Sequence, residues 1–354
     1  MPRRPLIIRC DASVAIGTGH VIRCLALAQA WQDRDGEVVF VMACSTPAVD
    51  KRLTAEGVSV VGISATPGSD QDGRKFTEIA ENNAAEWMIV DGYQFDENYQ
   101  STIKQTGRKL MLLDDTGKST HYFADVVLNQ NVTACEKMYS NRESHTQLLL
   151  GTGYVLLRRQ FATWHGWERN FPAVAKGILI ALGGSDPDGL TLPVLKSLSK
   201  MCDSQLEIFV IVGGSNPRIH DLQRAAIALG PRIRLLNDVS DMAARMAEAD
   251  LAIICGGGTL WEALYMGCAT LTYSRPGVQE DINEQLSTAG TVIDLGRVAD
   301  LNEAKLLAAV EDLLPCARKR RSMAQIARQV VDGRGAMRTL QFLDAITPSV
   351  EITE

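Results

Sequence analysis

Strand-length apolar runs alternate with amphipathic helical stretches from one end of this chain to the other, and the series occurs twice. The first series is "PLIIRCD", "VVFVMA", "VSVVGI", "WMIVD", "KLMLLDD" and "VVLNQN", with helical segments such as 21–34 and 98–106 between them. A stretch rich in glycine, aromatics and arginine, "GTGYVLLRRQFATWHGWERNFPAVAKG", breaks the rhythm. The second series then runs "GILIALGG", "LEIFVIVGG", "IRLLND", "LAIICGGG", "ATLTYS" and "TVIDLG". Short apolar strands each followed by a helix specify a parallel sheet wrapped on both faces, an α/β architecture. At 354 residues the chain exceeds one ordinary core and suits two doubly wound domains facing a cleft. The pause places them at 1–165 and 172–335.

Composition limits the partners. With 46% apolar and 22% charged residues the chain has the make-up of a globular protein. Lys+Arg 36 against Asp+Glu 42 gives a net charge of −6, which opposes general attraction to nucleic acid, so an anionic ligand must be held by local donors. The 8 cysteines contain no C-x-x-C pair, and most sit in apolar stretches, as reduced core thiols do. The N-terminal apolar run is too short for a signal peptide, and no stretch approaches the ~20 apolar residues of a membrane span. A cytoplasmic protein is expected. The basic cluster "ARKRRS" at 317–322 reads as a solvated helix face.

In doubly wound sheets ligands bind beyond the carboxyl ends of the strands. Several strands of the second series end in glycines, Gly183-Gly184, Gly213-Gly214 and Gly256-Gly257-Gly258. Such glycines let a phosphate approach a helix N-terminus, and they equally make ordinary tight turns. The familiar nucleotide motifs fail. "DDTGKST" has Leu112 where a P-loop needs glycine, and "GTGHVI" has Ile22 where the third glycine of G-x-G-x-x-G belongs. Asp114-Asp115 closes a strand and reads as a turn cap rather than a metal site. No cofactor or metal is expected.

One histidine of 5 stands apart: His20 follows Gly17 and Gly19 and opens a helical run. The partial positive charge of a helix N-terminus disfavours imidazolium there, and a neutral ring can act as a base. By position alone, capping the helix and doing chemistry are both open. Arg23, three residues on, shares its face and could orient Asp11 or a phosphate.

The segment "IRCDASVAIGTGHVIRCLALAQAW" fits a pattern R-x-D-x-S-x-x-I-G-x-G-H-x-x-R-C-L-x-L-A through Arg9, Asp11, Ser13, Ile16, Gly17, Gly19, His20, Arg23, Cys24, Leu25, Leu27 and Ala28. It resembles the signature of the UDP-2,4-diacetamido-2,4,6-trideoxy-β-L-altropyranose hydrolases of pseudaminic acid biosynthesis, the PseG/SpsG family. "VDGYQFDENY", "LMLLDDTG", "VVLNQN", "LLLGTGYVLLRRQF", "ALGGSDPDGLT", "GGGTLWEALYMGCATLTY" and "DGRGAMRTL" resemble further family segments, in order.

The resemblance implies a GT-B-like fold, similar to MurG-like proteins, whose last helix, about 336–347, packs back on the first domain. It also implies a UDP-sugar ligand held mainly by the second domain. His20 would be the catalytic base, drawing a proton from a water that attacks the anomeric carbon with inversion. Asp11, Gly17, Gly19, Arg23, Asp91 and Tyr93 on the first domain would line the substrate. Gly183, Gly184, Ser185, Met242, Gly256, Gly257, Gly258, Thr259, Glu262 and Gln279 would do so on the second. In that reading the uracil lies near "NDVSDMAARM", the ribose meets Glu262, and the diphosphate rests on "CGGGT". The chain departs from the family at Val278, where relatives carry asparagine, and at Gly92, where many carry histidine. The rival functions are a UDP-sugar glycosyltransferase, a hydrolysing 2-epimerase and a non-catalytic sugar-nucleotide binder.

Overall fold

The computed structural model describes residues 3–201 and 205–346; Cys202 and the end of the expected last helix at 347 lie outside them. The first unit runs β1 (Arg3–Cys10), α1 (Gly19–Gln32), β2 (Gly36–Met42), α2 (Pro47–Ala55), β3 (Ser59–Gly62), α3 (Asp70–Asn82), β4 (Trp87–Asp91), α4 (Glu97–Lys104), β5 (Lys109–Leu113), β6 (Val126–Asn129), β7 (Gln147–Leu150) and the short α5 (Arg159–Ala162). The second runs β8 (Gly177–Ala181), α6 (Thr191–Ser199), β9 (Glu207–Val212), α7 (Ile219–Leu229), β10 (Ile233–Asn237), α8 (Met242–Glu248), β11 (Leu251–Cys255), α9 (Gly257–Tyr265), β12 (Ala269–Ser274), α10 (Val278–Thr288) and β13 (Val292–Arg297). Helices α11 (Glu303–Leu313), α12 (Ala317–Val330) and α13 (Gly335–Ile346) complete the chain.

The strands form two parallel sheets, ordered β3-β2-β1-β4-β5-β6-β7 and β10-β9-β8-β11-β12-β13. In each, the order reverses once, between β1 and β4 and between β8 and β11. A crevice opens at such a reversal because the flanking connections depart in opposite directions. Burial on both faces explains why the strands read as unbroken apolar runs. Along β4, Trp87 and Ile89 pack into the core under α1 and α13, while Met88 and Val90 pack into the core under α3 and α4. The sequence-called strands are all present. β7, which the sequence reading did not include, lies just before the stretch read as a crossing, and that stretch is irregular apart from α5 and a turn of 3-10 helix at Thr152–Tyr154.

Two buried arginines set the frame. Arg9, fully buried at the end of β1, donates to both oxygens of Asp72 on α3 at 2.8 and 2.7 Å and lies 2.8 Å from Asp11. Arg320 corrects the reading of the basic cluster as wholly solvated. Its neighbours Arg318, Lys319 and Arg321 are exposed, but Arg320 is buried and donates to the carbonyls of Leu313 and Leu314 at 2.6 Å and of Pro172. It thereby satisfies open carbonyls at the end of α11, as a cation near a helix C-terminus does.

Helix α13 returns to the first unit, where Leu340 and Leu343 join the core beneath α1. Its approach is closest at Gly335, where a Cβ would sit 2.2 Å from the Val155 carbonyl oxygen and 2.5 Å from the Tyr154 carbonyl carbon. Backbone cannot yield as a flexible side chain can, so Gly335→Ala should cost about 1–3 kcal/mol. A urea denaturation midpoint equal to wild type would show that this contact does not hold α13 in place.

Candidate active site at the facing sheet ends

Asp91 ends β4 at the reversal point of the first sheet and is fully buried. Its Oδ1 accepts from the Arg23 guanidinium NH2 at 2.6 Å and lies 2.6 Å from His20 Nδ1. Its Oδ2 accepts from Arg23 Nε at 2.6 Å and from the Cys24 thiol at 3.4 Å. Burial alone would push this carboxyl up, but Arg23 and then His20 outweigh it and hold it well below the usual carboxylate range. An ionised carboxylate can only accept, so Nδ1 of His20 carries the hydrogen. In the neutral ring that leaves Nε2 as the acceptor.

Arg23 is pinned at both ends of its fork, since NH1 donates to both oxygens of Asp115 at 2.8 Å. Burial works against its charge, yet Asp115 and Asp91 raise it well above the ordinary arginine value. Asn131 Nδ2 supports Asp115 at 2.9 Å. One guanidinium on α1 thus joins the ends of β4 and β5 to the loop after β6. The helix presenting it starts at Thr18 with no side-chain cap, after a turn in which Gly17, at φ +80°, donates its N–H to the Ser13 carbonyl at 2.8 Å. His20 lies in the first turn of α1 and lines a cavity of about 120 Å³ with Tyr93, Phe95, Leu112, Thr116 and Lys118. Tyr93 is 71% exposed and meets the imidazole edge-on with ring centroids 5.0 Å apart.

The second unit brings its glycine loops to the same place. Gly184, after β8, is so near α1 that a Cβ there would lie 3.0 Å from the Thr18 hydroxyl, two residues from His20. Thr46 Oγ1 and Ser215 Oγ are 2.9 Å apart across the units, and Arg52 donates to the Val239 carbonyl at 2.9 Å. β11 runs into Gly256 and Gly257 at φ +38° and +66°, and α9 opens there without a side-chain cap. The Gln279 side chain lies over Gly256, where a Cβ would meet it at 2.6 Å. Glu262, one turn into α9, is buried, and its Oε1 takes two bonds from Arg158, at 3.0 Å from Nε and 2.7 Å from NH2. Oε2 takes neither.

The expected site residues therefore fall into two groups. His20, Arg23, Asp91 and Tyr93 form one contact network, with Gly17 and Gly19 in the turn before it. Gly183, Gly184, Ser185, Gly256, Gly257, Gly258, Thr259, Glu262 and Gln279 gather at the ends of β8 and β11 and along the start of α9 and α10. Met242 is buried as the first residue of α8, beneath the β10–α8 loop.

Asp11 is a correction. It is buried, and its oxygens are taken by Arg9, by the N–H groups of Ala43 and Cys44 at 2.8 and 2.9 Å, and by Gln94 Nε2 at 3.2 Å. It braces the ends of β1 and β2. The pairing of Arg23 with Asp11 is corrected likewise, because the sheet order puts β4 and β5, not β2, under that side chain. Asp91 and Arg23, expected to touch substrate, use their polar atoms on one another, on His20 and on Asp115. Asp114 caps its turn through Thr116 and Gly117, as the sequence indicated.

Gly92 has a local reason: a Cβ would run into the Gln94 amide at 2.7 Å and the Phe95 ring at 2.8 Å. Val278 packs against the apolar core beside α9 and α10. Sequence reasoning missed Asp115 as the second partner of Arg23, and it missed Arg158. Their only signals were the doubled aspartate at a strand end and the doubled arginine in the crossing. Among the described residues no group of three or more His, Cys, Asp or Glu is disposed to hold a metal, and no helix is long and apolar enough to cross a membrane.

Removing the Asp91 charge leaves Arg23 half-paired in the interior, so Asp91→Asn should lose about 3 kcal/mol of stability at pH 7. Because the folded carboxyl is held below its unfolded value of about 3.9, its contribution is complete above about pH 5 and shrinks as pH falls below about 4. Urea unfolding of both proteins should show a gap that narrows by roughly 1 kcal/mol per pH unit in acid. A gap independent of pH would mean that Asp91 is not an ionised partner.

No family model matches the chain. It is 27% identical over 282 residues to the uncharacterized protein MJ1062 of Methanocaldococcus jannaschii, covering 78% of this chain and 57% of that protein, so it spans little more than half of that relative's length. It is 27% identical to the spore coat polysaccharide biosynthesis protein SpsG of Bacillus subtilis, over 68% of this chain and 70% of that one. It is also 27% identical to the UDP-2,4-diacetamido-2,4,6-trideoxy-β-L-altropyranose hydrolase of Campylobacter jejuni, over 74% and 88%. Among solved structures, Acinetobacter baumannii MurG superposes with a TM-score of 0.63 at 16% identity over 97% of this chain and 100% of that one. S. aureus MnaA, solved with UDP, gives 0.69 at 13% identity over 98% and 99%. With the MurG-like GT-B fold under it and the motifs in order along it, the chain is similar to the SpsG protein and to the Campylobacter jejuni hydrolase over most of its length.

Proposed function

We propose that the protein hydrolyses a UDP-sugar, releasing UDP and a free 2,4-diacetamido-2,4,6-trideoxy sugar for surface polysaccharide or nonulosonate synthesis. The observation that carries this reading is the 2.6 Å contact of His20 Nδ1 with the buried Asp91 carboxylate, on a ring that lines an open cavity. In this reading Nε2 takes a proton from a water as the water oxygen bonds to the anomeric carbon. The bond from that carbon to the diphosphate oxygen breaks, and its electron pair leaves with UDP. Asp91 holds the ring's tautomer and steadies the imidazolium as it forms, while Arg23 and Asp115 hold Asp91. The glycine loops after β8 and β11 and the start of α9 receive the diphosphate charge through backbone N–H groups. Glu262, fixed through Oε1 by Arg158, presents Oε2 to the ribose hydroxyls. The substrate class is supported by the name of the Campylobacter jejuni relative and by the UDP in the structurally similar MnaA.

Incubation with UDP-2,4-diacetamido-2,4,6-trideoxy sugars and no acceptor should yield UDP and free sugar in equal amounts. His20→Ala should slow this about 10²–10⁴-fold, with UDP affinity within a factor of about two of wild type. Turnover that appears only on adding an alcohol acceptor would replace hydrolysis with glycosyl transfer. Undiminished turnover in the His20 variant would remove that ring from the chemistry.

A further inference from the structure

Arg275 has no part in the reading above, yet it occupies the centre of the second unit's open edge. β11 pairs with β8 on one side and β12 on the other, so the ends of three adjacent strands stand in a row at Gly183, Cys255-Gly256 and Arg275. The Arg275 side chain leaves β12, crosses the end of β11 and reaches the loop after β8. There NH2 comes within 4.0 Å of where a Gly183 Cβ would be. Burial pushes the Cys255 thiol up to about 11, and the Arg275 charge, near enough to be felt there, pulls the other way. The backbone N–H of Arg275 donates to Gln279 Oε1 at 3.0 Å, and the same Gln279 side chain lies over Gly256. The guanidinium therefore lies near Gly183 and Cys255, at the ends of β8 and β11, while its own backbone holds the side chain that covers Gly256.

Its present partner is a replaceable one. Nε and NH2 both reach a single oxygen, Oδ2 of Asp188, at 2.7 Å, and both side chains are about one-third exposed, at 32% and 35%. A half-open ion pair of this kind adds little stability, and it uses a two-pronged donor on one acceptor. A phosphate offers two oxygens in the spacing the fork matches and carries more charge than a carboxylate.

We propose that Arg275 is a diphosphate-binding residue that exchanges Asp188 for the phosphate oxygens of a nucleoside diphosphate lying on Gly183, Gly256 and the start of α9. This rests on the nucleotide site proposed above, to which it adds a side-chain cation in this row of strand ends. Asp188 then acts as a competitor that holds the guanidinium extended across β11 until the ligand arrives.

Calorimetric titration of wild type, Arg275→Met, Arg275→Lys and Asp188→Asn with UDP and with uridine tests the assignment. Arg275→Met should weaken UDP at least 10-fold and leave uridine within 2-fold, and Arg275→Lys should recover part of the loss. Asp188→Asn should bind UDP about 3-fold more tightly, because the competing carboxylate is gone. A purely structural ion pair gives the opposite sign in that last variant. Unchanged UDP affinity in Arg275→Met, equal weakening of uridine and UDP, or weaker UDP binding in Asp188→Asn would each overturn the role of Arg275 while leaving the nucleotide site intact. Wild type that binds neither ligand would overturn both.

Discussion

A carboxylate buried without solvent has to be matched by donors, and the first unit is arranged around doing that for Asp91. The desolvation cost of such an ion is several kcal/mol, and it is offset only when each oxygen finds charged or strongly polar donors in good geometry. Arg23 supplies a fork, His20 a ring N–H and Cys24 a thiol, all from one helix face whose residues fall at positions 20, 23 and 24. Because the imidazole is one of those donors, its orientation follows from the electrostatics of the core and not from a loop. The residue so oriented is one of those that line the cavity.

The meeting of the two units relies on small residues where α1 begins. Gly184 lies against Thr18, and a Gly214 Cβ would come within 2.9 Å of Ala48. Larger side chains at these points would hold the sheet ends apart. The polar contacts across the units, Thr46 with Ser215 and Arg52 with Val239, are single bonds at the rim, worth roughly 1 kcal/mol each. Arg158 with Glu262 is the buried exception, and it joins the crossing segment to α9 of the second unit.

Much of this was legible in the chain because burial on two faces writes each strand as an apolar run and each helix as a period. Both sheets follow from that, and with them the strand ends where the candidate site was sought. β7 was not legible because "QLLL" is four residues long and sits among turn formers. The two aspartates after β1 and at the end of β4 were indistinguishable by pattern. Which one meets Arg23 is decided by sheet order, which puts Asp11 beside the β2 end and Asp91 under α1. Arg320 misled because its partners are backbone carbonyls of Leu313, Leu314 and Pro172, and carbonyls leave no trace in a sequence.

The distribution of charge separates the two halves in kind. The first unit neutralises its charges internally: Arg9 against Asp11 and Asp72, and Arg23 against Asp91 and Asp115, all at 2.8 Å or less. Pairs so enclosed cannot be given up to a ligand without leaving a partner unpaired, so they serve geometry. At the ends of β8, β11 and β12 the donors are glycine backbone and a half-exposed guanidinium, which lose little on changing partners. One half thus fixes a ring rigidly, and the other keeps strand-end donors that can change partners. The parallel-sheet fold allows both because its strand ends can finish either in buried ion pairs or in bare glycine turns.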